Sequence, residues 1–260
     1  AGSGNDLSLV ISGAQTNLTG NATSNFDSEK KFFNVTVNNG STLALSRGIL
    51  VKYGTFTVNG TLQINGNGYV NTDAVHAGNH RVPAYNASSS LLRYNNGGAY
   101  TIAGEWPATN QPVNVSLTAT GTNVILTADR TITGVLSLND NTITTSSNTL
   151  YVSNSATSAI TRTSGYVIGN LKRAIATGTN SYAYPIGTAS GYTGAAISLS
   201  GVSGAGDITA ATLNGASGNY PAGLSTTKRL ARYWTISNSG VSGFTASVLF
   251  EYLGADLTGG

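Results

Sequence analysis

The sequence contains no cysteine and no methionine among its 260 residues. Without thiols there can be no disulfide, no zinc–thiolate or iron–sulfur site, and no cysteine nucleophile. Without an initiator methionine at Ala1, the expectation is a mature product whose leader has been removed. Charge is scarce as well: Asp, Glu, Lys and Arg make up 9% of the chain and leave a formal net charge of +3. A nucleic-acid binder gathers positive charge on one face. Here the tight basic groups are Lys172 with Arg173, and Lys228, Arg229 and Arg232. They read as charges guarding solvated strand edges, and nucleic acid is set aside as a partner. No stretch approaches the roughly 20 consecutive apolar residues of a membrane helix, so membrane insertion is not expected.

In place of charge the chain has 33 glycines and an excess of Ser, Thr and Asn. Glycine loses backbone entropy in a helix, and short polar side chains compete there for backbone hydrogen bonds. Val, Ile and Thr recur throughout, together with 13 tyrosines. Disordered chains lack such residues. The composition therefore predicts a folded, all-β protein with many turns.

Internal repetition is the clearest signal. Phe33-Asn34-Val35-Thr36-Val37 matches Val113-Asn114-Val115-Ser116-Leu117, and Gly54 to Asn59 matches Gly134 to Asn139, both at an offset of 80. A shorter period lies inside each copy. Val35 to Phe56, Val37 to Val58, Val115 to Leu136 and Leu117 to Leu138 are 21 apart; Leu43 to Leu62, Leu45 to Ile64 and Val124 to Ile143 are 19 apart. These positions sit in apolar-polar-apolar triplets, the alternation of a strand with one buried face. Between the triplets stand Asn38-Asn39-Gly40, Ser46-Arg47-Gly48, Asn59-Gly60, Asn65-Gly66-Asn67-Gly68 and Asn139-Asp140-Asn141, residues that accept positive φ and turn a chain at low cost. Short strands, sharp corners and a coil of about 20 residues describe a right-handed parallel β-helix, or solenoid, whose coils bury their faces on one another. An antiparallel sandwich joined by Asn-Gly turns predicts no constant coil length.

The solenoid is expected over residues 1–163, with an irregular insertion near 71–111 that holds Pro83, Pro107, both histidines and Trp106, and a hairpin from Tyr94 to Tyr100. From about Ser164 longer strand candidates appear without the coil period: Tyr166 to Ala176, Ser181 to Ile186, Ala195 to Leu199, Ile208 to Leu213, Leu230 to Ile236 and Phe244 to Tyr252. Residues 164–260 are read as an antiparallel β-sandwich-like domain.

Several phrases resemble those of large cell-surface and secreted proteins of the Bacteroidota, the type IX secretion cargo and adhesin-like group. They are Leu91-Leu92-Arg93-Tyr94-Asn95-Asn96-Gly97-Gly98-Ala99-Tyr100-Thr101 leading to Glu105-Trp106-Pro107, then Thr127 to Gly134, Tyr182-Ala183-Tyr184-Pro185-Ile186-Gly187, and Arg232-Tyr233-Trp234-Thr235-Ile236. The resemblance implies export across two membranes, an extracellular or cell-surface location, and a role in adhesion, surface coats or filaments rather than catalysis. The C-terminal sorting domain of such cargo has no counterpart here, nor does the Asp-Ser/Thr-aliphatic O-glycosylation signal, as in a processed part of a longer protein.

The residues offer little chemistry. A β-helix enzyme acting on polysaccharide needs carboxylates one coil apart on one face. Among the ten acids only Asp6 and Asp27 have that spacing, and Asp27 lies in the charged run to Lys31, a solvated turn. Asp73, His76 and His80 flank Ala77-Gly78-Asn79 in a region of poor helix propensity, so the histidines read as loop residues. Asn17, Asn21, Asn34, Asn39, Asn59, Asn86 and Asn114 each begin Asn-x-Ser/Thr, a pattern chance explains in so polar a chain. The threonine pairs Thr55 and Thr57, Thr131 and Thr133, and Thr142 and Thr144 invite an ice- or sugar-binding ladder, but the strand preference of threonine accounts for them. No catalytic residue, cofactor or metal is expected. The one functional segment singled out is the N-terminal strand, in which Leu7, Leu9 and Ile11 alternate with Ser8 and Val10. It is expected to complete the sheet of a second copy by β-augmentation, giving a head-to-tail homopolymer. A monomeric adhesin module that binds cell-surface glycans is the alternative, and a polysaccharide lyase or hydrolase the third.

Overall fold

The computed structural model describes residues 9–18, 34–51, 54–70, 80–215, 225 and 228–258. Within them the chain winds as a parallel β-solenoid whose coils each pass through three faces. On the second face seven strands lie side by side, all parallel: Thr16–Leu18, Thr42–Leu45, Thr61–Asn65, Leu91–Asn95, Asn114–Leu117, Leu136–Ser137 and Ile160–Thr161. They mark seven coils. The first face begins with Leu9–Ile11, Val35–Val37, Phe56–Val58 and Ala84–Tyr85. The third begins with Gly48–Ile49 and Tyr69–Val70 and continues through Ala99–Thr101, Asn123–Ile125 and the first parts of Thr142–Val152 and Tyr166–Ile175; beyond the register shift after Thr144, their second parts stack on Arg130–Ile132 and take up the first face again.

The 19- and 21-residue spacings are strand registers. Val35 pairs with Phe56, Leu43 with Leu62, Val115 with Leu136 and Val124 with Ile143. Stacking carries the alternation from coil to coil, so Leu43, Leu62, Leu92, Val115 and Leu136 form one inward column without solvent exposure, and Leu45, Ile64, Tyr94 and Leu117 form another. Each fully buried aliphatic side chain contributes about 1.5–3 kcal/mol of transfer free energy, which repetition turns into a continuous core. The corners demand glycine where coils cross closely: a Cβ on Gly68 would collide with the Leu45 carbonyl oxygen.

The 80-residue similarity has a different meaning from the one expected. Val35 stands on the first face and Val115 on the second, so the two copies are not equivalent coils. What they share is a local device. Asn34 Oδ1 accepts from the Thr55 amide at 2.9 Å, and Asn114 Oδ1 accepts from the Val135 amide at 2.9 Å, each across one 21-residue coil. The asparagine fastens the start of a strand to the coil above it wherever it occurs.

Three further expectations are corrected. Residues 84–101 do not interrupt the winding, since Ala84–Tyr85, Leu91–Asn95 and Ala99–Thr101 each enter a parallel sheet. The hairpin from Tyr94 to Tyr100 does not form, because its two arms lie on different faces and Gly97, at φ 66°, turns a corner between them. This coil is longer, with 30 residues separating the paired Ile64 and Tyr94, and the excess falls between the third-face strand ending at Val70 and Ala84. Nor does the parallel winding stop at residue 163, for Tyr166–Ile175 stacks in parallel on Thr142–Val152.

The antiparallel region then grows from that strand. Gly206–Asn214 runs antiparallel to Tyr166–Ile175 and is followed by Arg232–Ser239. A second layer contains Gly178–Tyr184, Ala195–Val202 and Thr245–Phe250. The layers meet where the Tyr184 hydroxyl donates to the Ile208 carbonyl at 3.1 Å and where Trp234 stacks on Phe250 with centroids 4.6 Å apart. The basic groups are not edge guards throughout. Lys172 is at the surface, 3.0 Å from Asp207. Arg173 takes an inward position in the column containing Val152 and Ile208 and is fully buried. Its guanidinium donates to the carbonyls of Ala183, Ala156 and Thr157. Arg232 is buried as well.

Candidate functional site

The features that stand out are the two ends of the stack. At one end Leu9–Ile11 is the outermost strand of the first face, paired on one side with Val35–Val37. Ile11 points into the core at 2% exposure, while Val10 faces outward at 56%. The N-terminal segment thus forms part of its own first coil, and its outer edge carries no partner strand among the described residues. Leu7 lies outside the described residues.

At the other end, Arg232–Ser239 and Thr245–Phe250 are the last strands of the two antiparallel layers. Register identifies their inward side chains. Ile236 lies opposite buried Ala210, Val248 opposite buried Ile197 and Phe250 opposite buried Ala195. All three share the core side of their sheets, yet Ile236 is 41% exposed, Val248 39% and Phe250 38%. Neither strand has a neighbour on its outer edge among the described residues. Natural sheets blunt such edges with lysine, proline or bulges; from Thr235 to Phe250 there is no charged residue and no proline. Sequence reading missed this end because Ile236, Val248 and Phe250 carry the same alternation as fully covered strands.

The outer surface of the second layer carries exposed Leu249 beside a polar area. Ser181, Ser198 and Ser247 form one cross-strand row, and Ser200 and Thr245 continue a second beside Thr179. Ser181 and Ser198 hydroxyls are 3.0 Å apart. With Asn180, Leu199 and Ala246 they line a shallow groove of about 400 Å³.

The described acids are held in structural contacts. Asp129 accepts from the Thr149 amide, Asp140 from the Ser164 hydroxyl, and Glu251 from the Tyr192 hydroxyl. Asp207 pairs with Lys172 and accepts from Tyr151, whose hydroxyl burial and this bond push up to about 12. Asp256 pairs with Arg232. Glu105 lies inside the solenoid, where Oε1 accepts from the Tyr94 hydroxyl at 3.2 Å and from the Ala103 amide at 2.9 Å, while Oε2 has no hydrogen-bond partner. Burial raises its pKa above the usual carboxylate value, against the lowering effect of these bonds. Folding therefore favours the protonated acid, and its contribution is fully present below the unfolded pKa and lost as pH rises through the folded one. Glu105→Gln is expected to flatten the fall in stability that sets in as pH rises above the ordinary carboxylate range, and to raise stability at neutral pH, as thermal melts from acidic to neutral pH will show.

The remaining candidates can be placed. Asp6, Asp27, Asp73, His76 and Asn21 lie outside the described residues. The threonine pairs make no uniform ladder: Thr131 sits beside Tyr151, and Thr142 and Thr144 lie beside Asn123 and Ile125 on one side and Tyr166 and Ile168 on the other. No helix among the described residues is long and apolar enough to cross a membrane. In comparisons with known proteins, no family model, curated protein or solved structure matches the chain.

Proposed function

We propose that this chain is a non-catalytic structural protein of the cell surface or extracellular space, a subunit that self-assembles head to tail into filaments or coats. The solenoid is the shaft, and the strand edges at its ends are the joints. The observation that carries this reading is that the outer edges of Arg232–Ser239 and Thr245–Phe250 have no neighbouring strand among the described residues and, from Thr235 to Phe250, no charged side chain, with apolar residues on their core side left open. Exposed apolar patches rimmed by polar surface mark interaction sites, and an unpaired edge is a template for another strand. The phrases shared with secreted Bacteroidota proteins support the location. Purified protein is expected to form polymers in negative-stain micrographs, and deletion of residues 1–12 to abolish them while leaving a folded monomer. Polymers that survive the deletion would remove the N-terminal strand from the joint.

A second reading, a monomeric module that binds cell-surface glycans, rests on the hydroxyl-lined groove between Ser181 and Ser247. It predicts retention on a glycan array that is lost in Ser198→Val, with no polymer at any concentration.

A further inference from the structure

The two ends of the molecule are matched in strand direction. Arg232–Ser239 is antiparallel to Gly206–Asn214, which is antiparallel to Tyr166–Ile175. Two reversals restore the original sense, so the last strand of this sheet runs the same way as the solenoid strand on which the sheet is built. That strand stacks in parallel on Thr142–Val152, which stacks in parallel on Arg130–Ile132. Arg130–Ile132 comes just before Leu136–Ser137 in its coil, the place that Val35–Val37, Phe56–Val58 and Ala84–Tyr85 hold before their own second-face strands, and the second face is parallel through all seven strands, so this sheet continues the first face and Leu9–Ile11 runs on it in the same sense. The antiparallel excursion thus ends by presenting an edge of the kind a further solenoid coil would accept.

Resting on the self-assembly reading, we infer that the occupant of the Arg232–Ser239 edge is the Leu9–Ile11 strand of a second copy, added in parallel by translation along the solenoid axis. Leu9 and Ile11 then continue the core side marked by Ile236, and Val10 continues the outward side marked by Thr235 and Ser237. Charge favours the pairing: Leu9–Ile11 and Thr235 to Ser239 carry no charged side chain, so identical copies meet without like-charge repulsion. The size of the contact sets its strength. The C-terminal end offers strands of eight and six residues and the N-terminal end two described strands of three, against roughly 20–30 residues a side in a standard stable interface. The joint is weak and concentration-dependent, and assembly is favoured where copies are crowded.

The chain has no cysteine, so introduced thiols report the contact alone. Val10→Cys and Ser237→Cys place one thiol on the outward side of each edge, both at exposed positions. Mixed and mildly oxidised, the two variants are expected to give a disulfide-linked dimer, and the double variant a ladder of multimers. Ile236→Lys is expected to weaken association at least tenfold while leaving the monomer folded. Cross-linking of Ser237→Cys with itself would show two-fold pairing and overturn the translational joint. Polymers in micrographs with no cross-link in any combination would overturn this edge assignment and leave the filament reading standing. Monomers at every concentration would end both.

Discussion

Asp256→Ala is expected to destabilise the protein by about 3–5 kcal/mol, the cost of leaving a buried charge without its partner. Arg232 Nε donates to Asp256 Oδ2 at 2.6 Å and its Nη2 to Oδ1 at 2.9 Å, a two-pronged pair around an arginine side chain with no solvent exposure. The same carboxylate accepts from the Leu253 amide at 2.8 Å, and the Arg232 Nη1 reaches the hydroxyls of Thr193 and Thr212. Removing the acid strands the guanidinium among groups that cannot neutralise it. Asp256→Asn retains hydrogen bonding and should cost less, and Arg232→Met combined with Asp256→Leu should cost less than either single loss, since apolar replacement of a buried pair is often near neutral. Urea denaturation of the wild type, the single variants and the double variant separates these cases. The pair also gives a pH dependence. Its bonds to Arg232 hold Asp256 below the usual carboxylate range, so its stabilisation is present above the unfolded pKa and falls away as pH drops toward the folded one. Glu105 has the opposite sign, so the two carboxyl groups act on the stability profile from opposite sides: one loses its contribution as pH falls, the other as it rises.

Trp106→Ala should cost about 3–5 kcal/mol, the range for deleting a large aromatic side chain from a core that cannot collapse around the loss. Trp106 is fully buried, its ring centroid is 6.3 Å from that of Tyr94, and its Nε1 donates to Gln111 Oε1 at 3.2 Å. It lies in the segment between Ala99–Thr101 and Asn114–Leu117, where no strand forms on the first face. Pro107 and Pro112 remove two ladder donors there. The interior that a strand's side chains would fill is filled by Trp106 instead, while Gln111 Oε1 receives the Thr131 amide at 2.6 Å and ties the next coil to the gap. Thermal unfolding followed by circular dichroism measures the loss, and Trp106→Phe should recover part of it.

The coil registers were legible in the sequence because stacking demands that apolar positions recur at the coil length, as Val35 and Phe56 or Leu43 and Leu62 do. The coil through Leu91–Asn95 was not, since its spacing of 30 breaks the period and its prolines look like loop. Its membership is held by polar stacking: Asn95 Nδ2 donates to Asn65 Oδ1, and Asn65 Nδ2 to Ser46 Oγ. Tyr166–Ile175 was legible as a strand but not by partner, because alternation is the same in parallel and antiparallel sheets. The burial of Arg173 and Arg232 was hidden for another reason. Charged residues read as surface until distant partners such as the Ala183 carbonyl or Asp256 are placed beside them. Of the candidate joint, the N-terminal alternation could be read, whereas the exposure of Ile236 depends on a neighbouring strand being absent, which no local pattern encodes.

The solenoid strands lie across the long axis, so a force applied between the ends peels coils apart one after another instead of shearing them all together. Each coil released adds its contour to the tether. The paired spacings of 19 residues from Leu45 to Ile64 and 30 from Ile64 to Tyr94 correspond to roughly 65 to 105 Å of extended chain per step. A molecule built this way yields gradually under load and rewinds from whatever coils remain, behaving as an extensible spring.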